Sequence, residues 1–124
     1  MLKTIVGWYN KKGGMIMTRD QVLDVYDTLI SKCDRFKRKG KTMPFTSANG
    51  HMFSLVNKNN QIGFRYSKEI HKIYLEKYNT QHFMSYGAHM RGYITIPESL
   101  YDDVETMLKL INESYDYVMT LEPK

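Results

Sequence analysis

Apolar side chains recur at helical spacing in three parts of this chain. The first begins at Thr18, which is followed three residues later by a glutamine in a capping box, and continues to Gly40. The second begins at Ser67 and ends near Asn79, and the third follows Pro97. These stretches predict three helices. Their apolar faces are Val22, Val25 or Tyr26, Leu29, Cys33 and Phe36; then Ile70, Ile73, Tyr74 and Tyr78; then Leu100, Val104, Met107, Leu108, Ile111, Tyr115 and Val118.

Between these stretches, short runs of β-branched and aromatic residues are separated by turn-forming residues, which predicts five strands. The predicted strands are Met43–Ser47, His51–Asn57, Gln61–Tyr66, Phe83–Tyr86 and Tyr93–Ile96. The last two flank a predicted turn at Gly87–Gly92. The resulting order is α-β3-α-β2-α. This order is typical of an α+β fold in which helices pack on an antiparallel sheet.

The length and composition fit one globular domain. The chain has 124 residues, of which 42% are hydrophobic and 25% charged. No apolar run reaches the roughly 18 residues that a membrane span needs, and no signal-peptide pattern precedes Thr18. We therefore expect a cytoplasmic protein that makes no membrane contact. The single cysteine, Cys33, can neither form an internal disulfide nor supply a structural zinc site alone.

The N-terminal residues differ from the rest of the chain. Residues 1–14 contain no acidic residue and end in Lys-Lys-Gly-Gly. We interpret residues 1–17 as a flexible N-terminal extension and residues 18–124 as the domain. A short edge strand around Thr4–Tyr9 is the alternative for the extension.

Positive charge is concentrated in one stretch. The formal net charge is +5, and Lys32–Lys41 alone contributes six basic residues against Asp34, which is also +5. At the end of the predicted first helix these cations would stabilise the helix dipole without any ligand. The other interpretation is weak, sequence-independent binding of nucleic acid. The six basic residues are Lys32, Arg35, Lys37, Arg38, Lys39 and Lys41.

Several segments together resemble the N-terminal domain of the TfoX/Sxy competence regulators. They are Met43–Phe45 followed by Asn49–Phe53, Gly63–Tyr66, Gly92–Pro97 and Ser114–Lys124. The resemblance covers roughly Thr18–Lys124 and implies the α-β3-α-β2-α fold that the spacing also predicts. Family members typically have Met-Phe-Gly where this chain has Met43-Pro44-Phe45. Full-length regulators continue into a C-terminal domain, whereas this sequence ends at Lys124. It is therefore similar to the stand-alone members, for which the resemblance implies no settled biochemical activity.

No motif indicates an enzyme. The four histidines, His51, His71, His82 and His89, form no metal-binding pair on one helix face, although His82 and His89 could converge with His51 across the sheet. Nucleophile elbows, phosphate-binding loops and dinucleotide-binding loops are missing from the sequence. We therefore expect a non-enzymatic protein with no catalytic residues, metal, cofactor or small-molecule substrate.

The sequence around the predicted last two strands favours protein association. It combines methionine, tyrosine and arginine, residues enriched at contact surfaces. The alternative is a buried strand pair with a polar turn. We expect a regulatory or protein-interaction domain whose partner is another protein or a second copy of the chain in a homodimer, with a weak DNA-binding accessory factor as the alternative. The candidate interface residues are Phe83, Met84, Tyr86, His89, Met90, Arg91 and Tyr93.

Overall fold

The computed structural model describes residues 17–124. The helices are α1 Arg19–Ser31, α2 Lys68–Lys77 and α3 Val104–Met119, and the strands are β1 Phe45–Ala48, β2 His51–Val56, β3 Ile62–Arg65, β4 His82–Ser85 and β5 Ala88–Thr95. The predicted α+β class and the α-β3-α-β2-α order are confirmed. The predicted extension, apart from Met17, and the alternative strand at Thr4–Tyr9 lie outside the described residues.

The five strands form one antiparallel sheet in the order β1-β2-β3-β5-β4. The helices pack on it, with α3 against the first three strands and α2 against β5. All buried apolar side chains of the three helices belong to one core cluster, together with side chains of the sheet such as Phe64 and Ile94. The fold is therefore a sheet with a helical layer on one face.

Side-chain caps fix where the helices begin. Thr18 caps α1 in a complete capping box, and Ser67 caps α2 by accepting a hydrogen bond from the Ile70 amide, as predicted. Helix α3 begins at Val104, after a 3-10 turn at Glu98–Leu100, because the Asp103 side chain accepts a hydrogen bond from the amide of Thr106.

The prediction that the first helix continues to Gly40 is wrong. Helix α1 ends at Ser31, and the chain then runs without regular structure back to β1. The Phe36 ring lies edge-on to Phe53 at 5.0 Å and stacks on Tyr115 at 5.3 Å. Cys33 and Phe36 both face the core from an irregular segment. Their three-residue spacing therefore only resembled a continuation of the helix.

The apolar face of α2 is also rotated from the predicted one. Tyr74 is buried, and Leu75 and Tyr78 pack against the core beside it. The predicted core residues Ile70 and Ile73 are instead 37% and 52% exposed. The helix has ten residues, and the face that carries Ile70 and Ile73 is exposed to solvent.

The β4–β5 hairpin folds over the face of the sheet that the helices leave open. In a flat sheet β2 and β4 would lie about 14 Å apart, since three strand spacings separate them. Yet the side chain of Asn57, directly after β2, donates a 2.7 Å hydrogen bond to the Met84 carbonyl of β4. An asparagine side chain cannot span the flat-sheet distance, so the hairpin must curl towards β2.

A second apolar cluster lies under this curled hairpin. Leu55, Phe83 and Tyr93 are its buried members, and no residue of a helix belongs to it. A Cβ on Gly63 would lie 2.7 Å from the Phe83 ring, so the ring rests directly on the β3 backbone. The partly buried residues around the cluster are Met43, Phe45, Met52 and Met90.

The predicted turn at Gly87–Gly92 is wrong in its extent. The chain reverses at Tyr86–Gly87 alone, and Ala88–Thr95 forms β5. Gly92 lies within this strand with a φ of +87°, and a Cβ there would approach the Tyr66 carbonyl oxygen to 3.2 Å. Glycine at this position lets β5 bend and lets its backbone pass close to the Tyr66 carbonyl.

Candidate interaction surface

The structure divides the predicted interface residues between two environments. Phe83 and Tyr93 are buried in the second apolar cluster, with Met90 partly buried beside them, so these three contribute to packing. The other four predicted interface residues are exposed, and we call them the hairpin surface: Met84, Tyr86, His89 and Arg91.

Tyr86 is at the tip of this surface in an unfavourable backbone conformation. Its φ is +55° and that of Gly87 is +74°, which is the arrangement of a type I′ hairpin turn. Four non-glycine residues in the described part have positive φ, and the other three are asparagines, the residue type that best tolerates this region. Tyr86 is also 74% exposed, so burial of its ring does not explain its presence there.

Two backbone carbonyls of the edge strand β4 accept hydrogen bonds from side chains. The carbonyl of Met84 accepts from Asn57, and that of His82 accepts from the Thr95 hydroxyl at 3.2 Å. At the opposite edge, Lys39 forms a two-hydrogen-bond bridge to Phe45 of β1. These bonds occupy some of the backbone groups of the two edge strands, where a partner strand would otherwise pair.

Three histidines from different elements form a row that includes His89 of the hairpin surface. The rings of His71 of α2 and His82 of β4 stack at 5.2 Å, and His89 of β5 lies 4.5 Å from His82. The His71 ring donates to the Tyr93 carbonyl at 3.0 Å, and burial is the largest cause of its lowered pKa. The predicted convergence with His51 is wrong, because that ring hydrogen-bonds the Glu122 carbonyl. His71 belongs to the row because α2 packs on β5. No local sequence signal predicts that packing.

The histidine row does not form a metal site. No group of three or more His, Cys, Asp or Glu side chains within residues 17–124 has the geometry to hold a metal ion. Two clefts in the described part, of about 520 and 570 Å³, have no histidine in their walls. The first contains Glu98, whose carboxyl pKa is raised by burial. The second contains Cys33, whose thiol pKa is raised for the same reason.

The basic stretch predicted as a nucleic-acid contact is partly used inside the fold. Arg35 forms a 2.9 Å ion pair with Asp116 of α3, and its guanidinium lies 4.3 Å from the centre of the Tyr115 ring. Arg38 forms a 3.1 Å ion pair with Asp27 of α1. Only Lys32, the C-cap residue of α1, lies at a helix end, so the helix-dipole interpretation is wrong for the other five basic residues. Within this stretch, the exposed cations that form no ion pair with a carboxylate in the described part of the chain are Lys32, Lys37, Lys39 and Lys41.

None of the helices between residues 17 and 124 is both long and apolar enough to cross a bilayer. No protein-family model, curated protein or solved structure matches the chain.

Proposed function

We propose that this chain is a cytoplasmic, non-enzymatic regulatory module that binds a protein partner through the hairpin surface. The observation that carries the proposal is Tyr86, a large aromatic residue that is held exposed in a left-handed turn conformation that asparagine accepts more readily. Backbone strain of this kind clusters at binding sites and persists only where the surrounding structure holds it. The resemblance to the TfoX/Sxy N-terminal domain belongs to the same proposal, since that family is regulatory.

The other residues of the hairpin surface support the same function. Met84 is 43% exposed and pairs across the hairpin with His89. Methionine adapts its shape to a partner, and arginine and tyrosine are enriched among residues that dominate binding energy. A partner that covers Tyr86 would also contact Met84 and Arg91, since all three are exposed on the same short hairpin.

The experiment compares two matched variants during purification from native cells. Tyr86→Asn removes the ring and suits the turn, whereas Ile73→Asn removes an exposed apolar side chain from α2. We expect the wild type and Ile73→Asn to retain the same co-purifying protein and Tyr86→Asn to lose it. Sedimentation of the purified chain tests whether a second copy is that partner. Equal retention by all three chains would refute the proposal.

A second candidate function is weak binding to DNA through Lys32, Lys37, Lys39 and Lys41. The observation that favours it is the absence of carboxylate partners for these four lysines in the described part of the chain. Four phosphate contacts would make the logarithm of the binding constant fall by about 3–4 per tenfold rise in salt. Anisotropy with a labelled duplex measures this slope. A flat salt dependence, or unchanged binding by Lys37→Gln with Lys41→Gln, would exclude this candidate.

A further inference from the structure

The charged residues of the hairpin segment itself are all basic. From Lys77 to Pro97 the chain has no aspartate or glutamate, while Lys77, Arg91 and two histidines lie in that stretch. None of the three ion pairs found within residues 17–124 involves it. The positive charge of Arg91 is therefore available to a partner.

The histidine row makes this charge depend on pH. His71, His82 and His89 are the titratable groups that face one another from α2, β4 and β5. The charges that act on His71 are those of the other two histidines, and no carboxylate offsets them. Imidazoles ordinarily gain their positive charge as the pH falls through about 6.5. The other charged residues of α2, β3 and β5 are Lys68, Glu69, Lys72, Glu76, Lys77, Arg65 and Arg91.

The mixture of apolar and charged groups favours a protein over a nucleic acid. Arg91 is the one permanent cation of the hairpin surface, whereas tight binding to a polyphosphate uses about 6–10 phosphate contacts. Tyr86 and Met84, by contrast, offer exposed apolar area of the kind found in protein interfaces.

We propose that the partner presents an acidic segment with interspersed apolar side chains to the hairpin surface, and that its affinity rises as the pH falls, through the histidine row beside Arg91. This inference rests on the proposed function and names the chemistry of the partner. Apolar side chains of the segment would cover Tyr86 and Met84, and its carboxylates would pair with Arg91 and the charged imidazoles.

The test uses a labelled 12-residue peptide of alternating glutamate and leucine, with a glutamine–leucine peptide as its uncharged match. Anisotropy is measured at pH 5.5 and pH 8.0 at constant ionic strength. Because each exposed ion pair adds only modestly to binding, two additional pairs should tighten binding of the acidic peptide roughly two- to thirtyfold at the lower pH. His82→Gln with His89→Gln should remove most of this difference. Arg91→Gln should weaken binding at both pH values, and Lys58→Gln, an exposed cation in the β2–β3 turn, should change neither.

Each contrary outcome has a distinct meaning. If both peptides bind equally at both pH values and Tyr86→Asn abolishes that binding, the acidic partner is refuted while the hairpin interface stands. Failure of the acidic peptide to bind at either pH also refutes the inference. A 20-base-pair duplex that displaces the peptide and depends on Arg91 would assign the surface to nucleic acid instead.

Discussion

Replacing Tyr86 with asparagine and, separately, with alanine distinguishes the contribution of this residue to the stability of the fold from its contribution to partner binding. Both changes remove the same exposed ring at the tip of the β4–β5 hairpin. They differ in how well the new residue accepts a φ of +55°. Asparagine accepts this region readily, because its short polar side chain can hydrogen-bond locally, whereas alanine cannot.

The structure sets the expected magnitudes. About a quarter of Tyr86 is buried, since 74% is exposed. A fully buried tyrosine covers roughly 200 Å², so the loss of a quarter of this area costs about 1 kcal/mol at ~25 cal/mol per Å². Asparagine relieves the strain of the left-handed backbone, which stabilises that variant by about 1 kcal/mol, whereas alanine does not relieve it. We therefore expect Tyr86→Asn to match the wild type within about 1 kcal/mol and Tyr86→Ala to be less stable than Tyr86→Asn by about 1 kcal/mol.

Urea unfolding followed by circular dichroism measures both differences. The two variants should share one denaturant slope and differ in midpoint, and their melting temperatures should differ by roughly 4 °C. Both should lose the partner. If alanine and asparagine give equal stability, the turn is not strained as argued. A Tyr86→Asn chain that is several kcal/mol less stable than the wild type would show instead that the ring supports the fold.

Three other predictions concern the packing and pH dependence of the fold. Phe36→Ala should lower the free energy of unfolding by about 3–5 kcal/mol in urea titrations, because the ring fills the space between Phe53 and Tyr115; a loss below 1 kcal/mol would contradict that packing. Gly63→Ala should cost about 1–3 kcal/mol through its clash with Phe83, and Phe83→Leu should make the alanine less costly in a double-mutant cycle. Because the pKa of His71 is lowered in the folded state, the unfolded chain takes up that proton first, so stability present above about pH 6.5 is lost as the pH falls. Urea midpoints at pH 7.5 and 5.5 should therefore differ more in the wild type than in His71→Gln, and an equal difference in both chains would refute this assignment.

Local chemistry made much of the fold predictable. Thr18 and Ser67 cap their helices through side-chain hydrogen bonds to amides within three residues, so the sequence around them contains the whole signal. The three strands between Phe45 and Arg65 are separated by turns whose asparagines, Asn49 and Asn60, adopt positive φ, and these turn residues are visible in the sequence. The type I′ turn also had a signal, since glycine at position 87 suits its second central residue.

Tertiary contacts decided what the sequence could not predict. Helix α1 ends early because Phe36 reaches Phe53 and Tyr115, which are 17 and 79 residues further along the chain. The curl of the hairpin depends on the contact of Asn57 with Met84, and the histidine row on the packing of α2 against β5. The candidate interface was predicted as one block, but strand alternation and the curl bury Phe83 and Tyr93 and leave the other side exposed.

The most direct measurement is site-specific photo-crosslinking in native cells. A benzoylphenylalanine at position 86 replaces one exposed aromatic residue with another, and the same probe at position 73 serves as the exposed control on α2. The proposed function predicts a discrete crosslinked product from position 86 and none from position 73. Identical products from both positions, or no product from position 86, would contradict it.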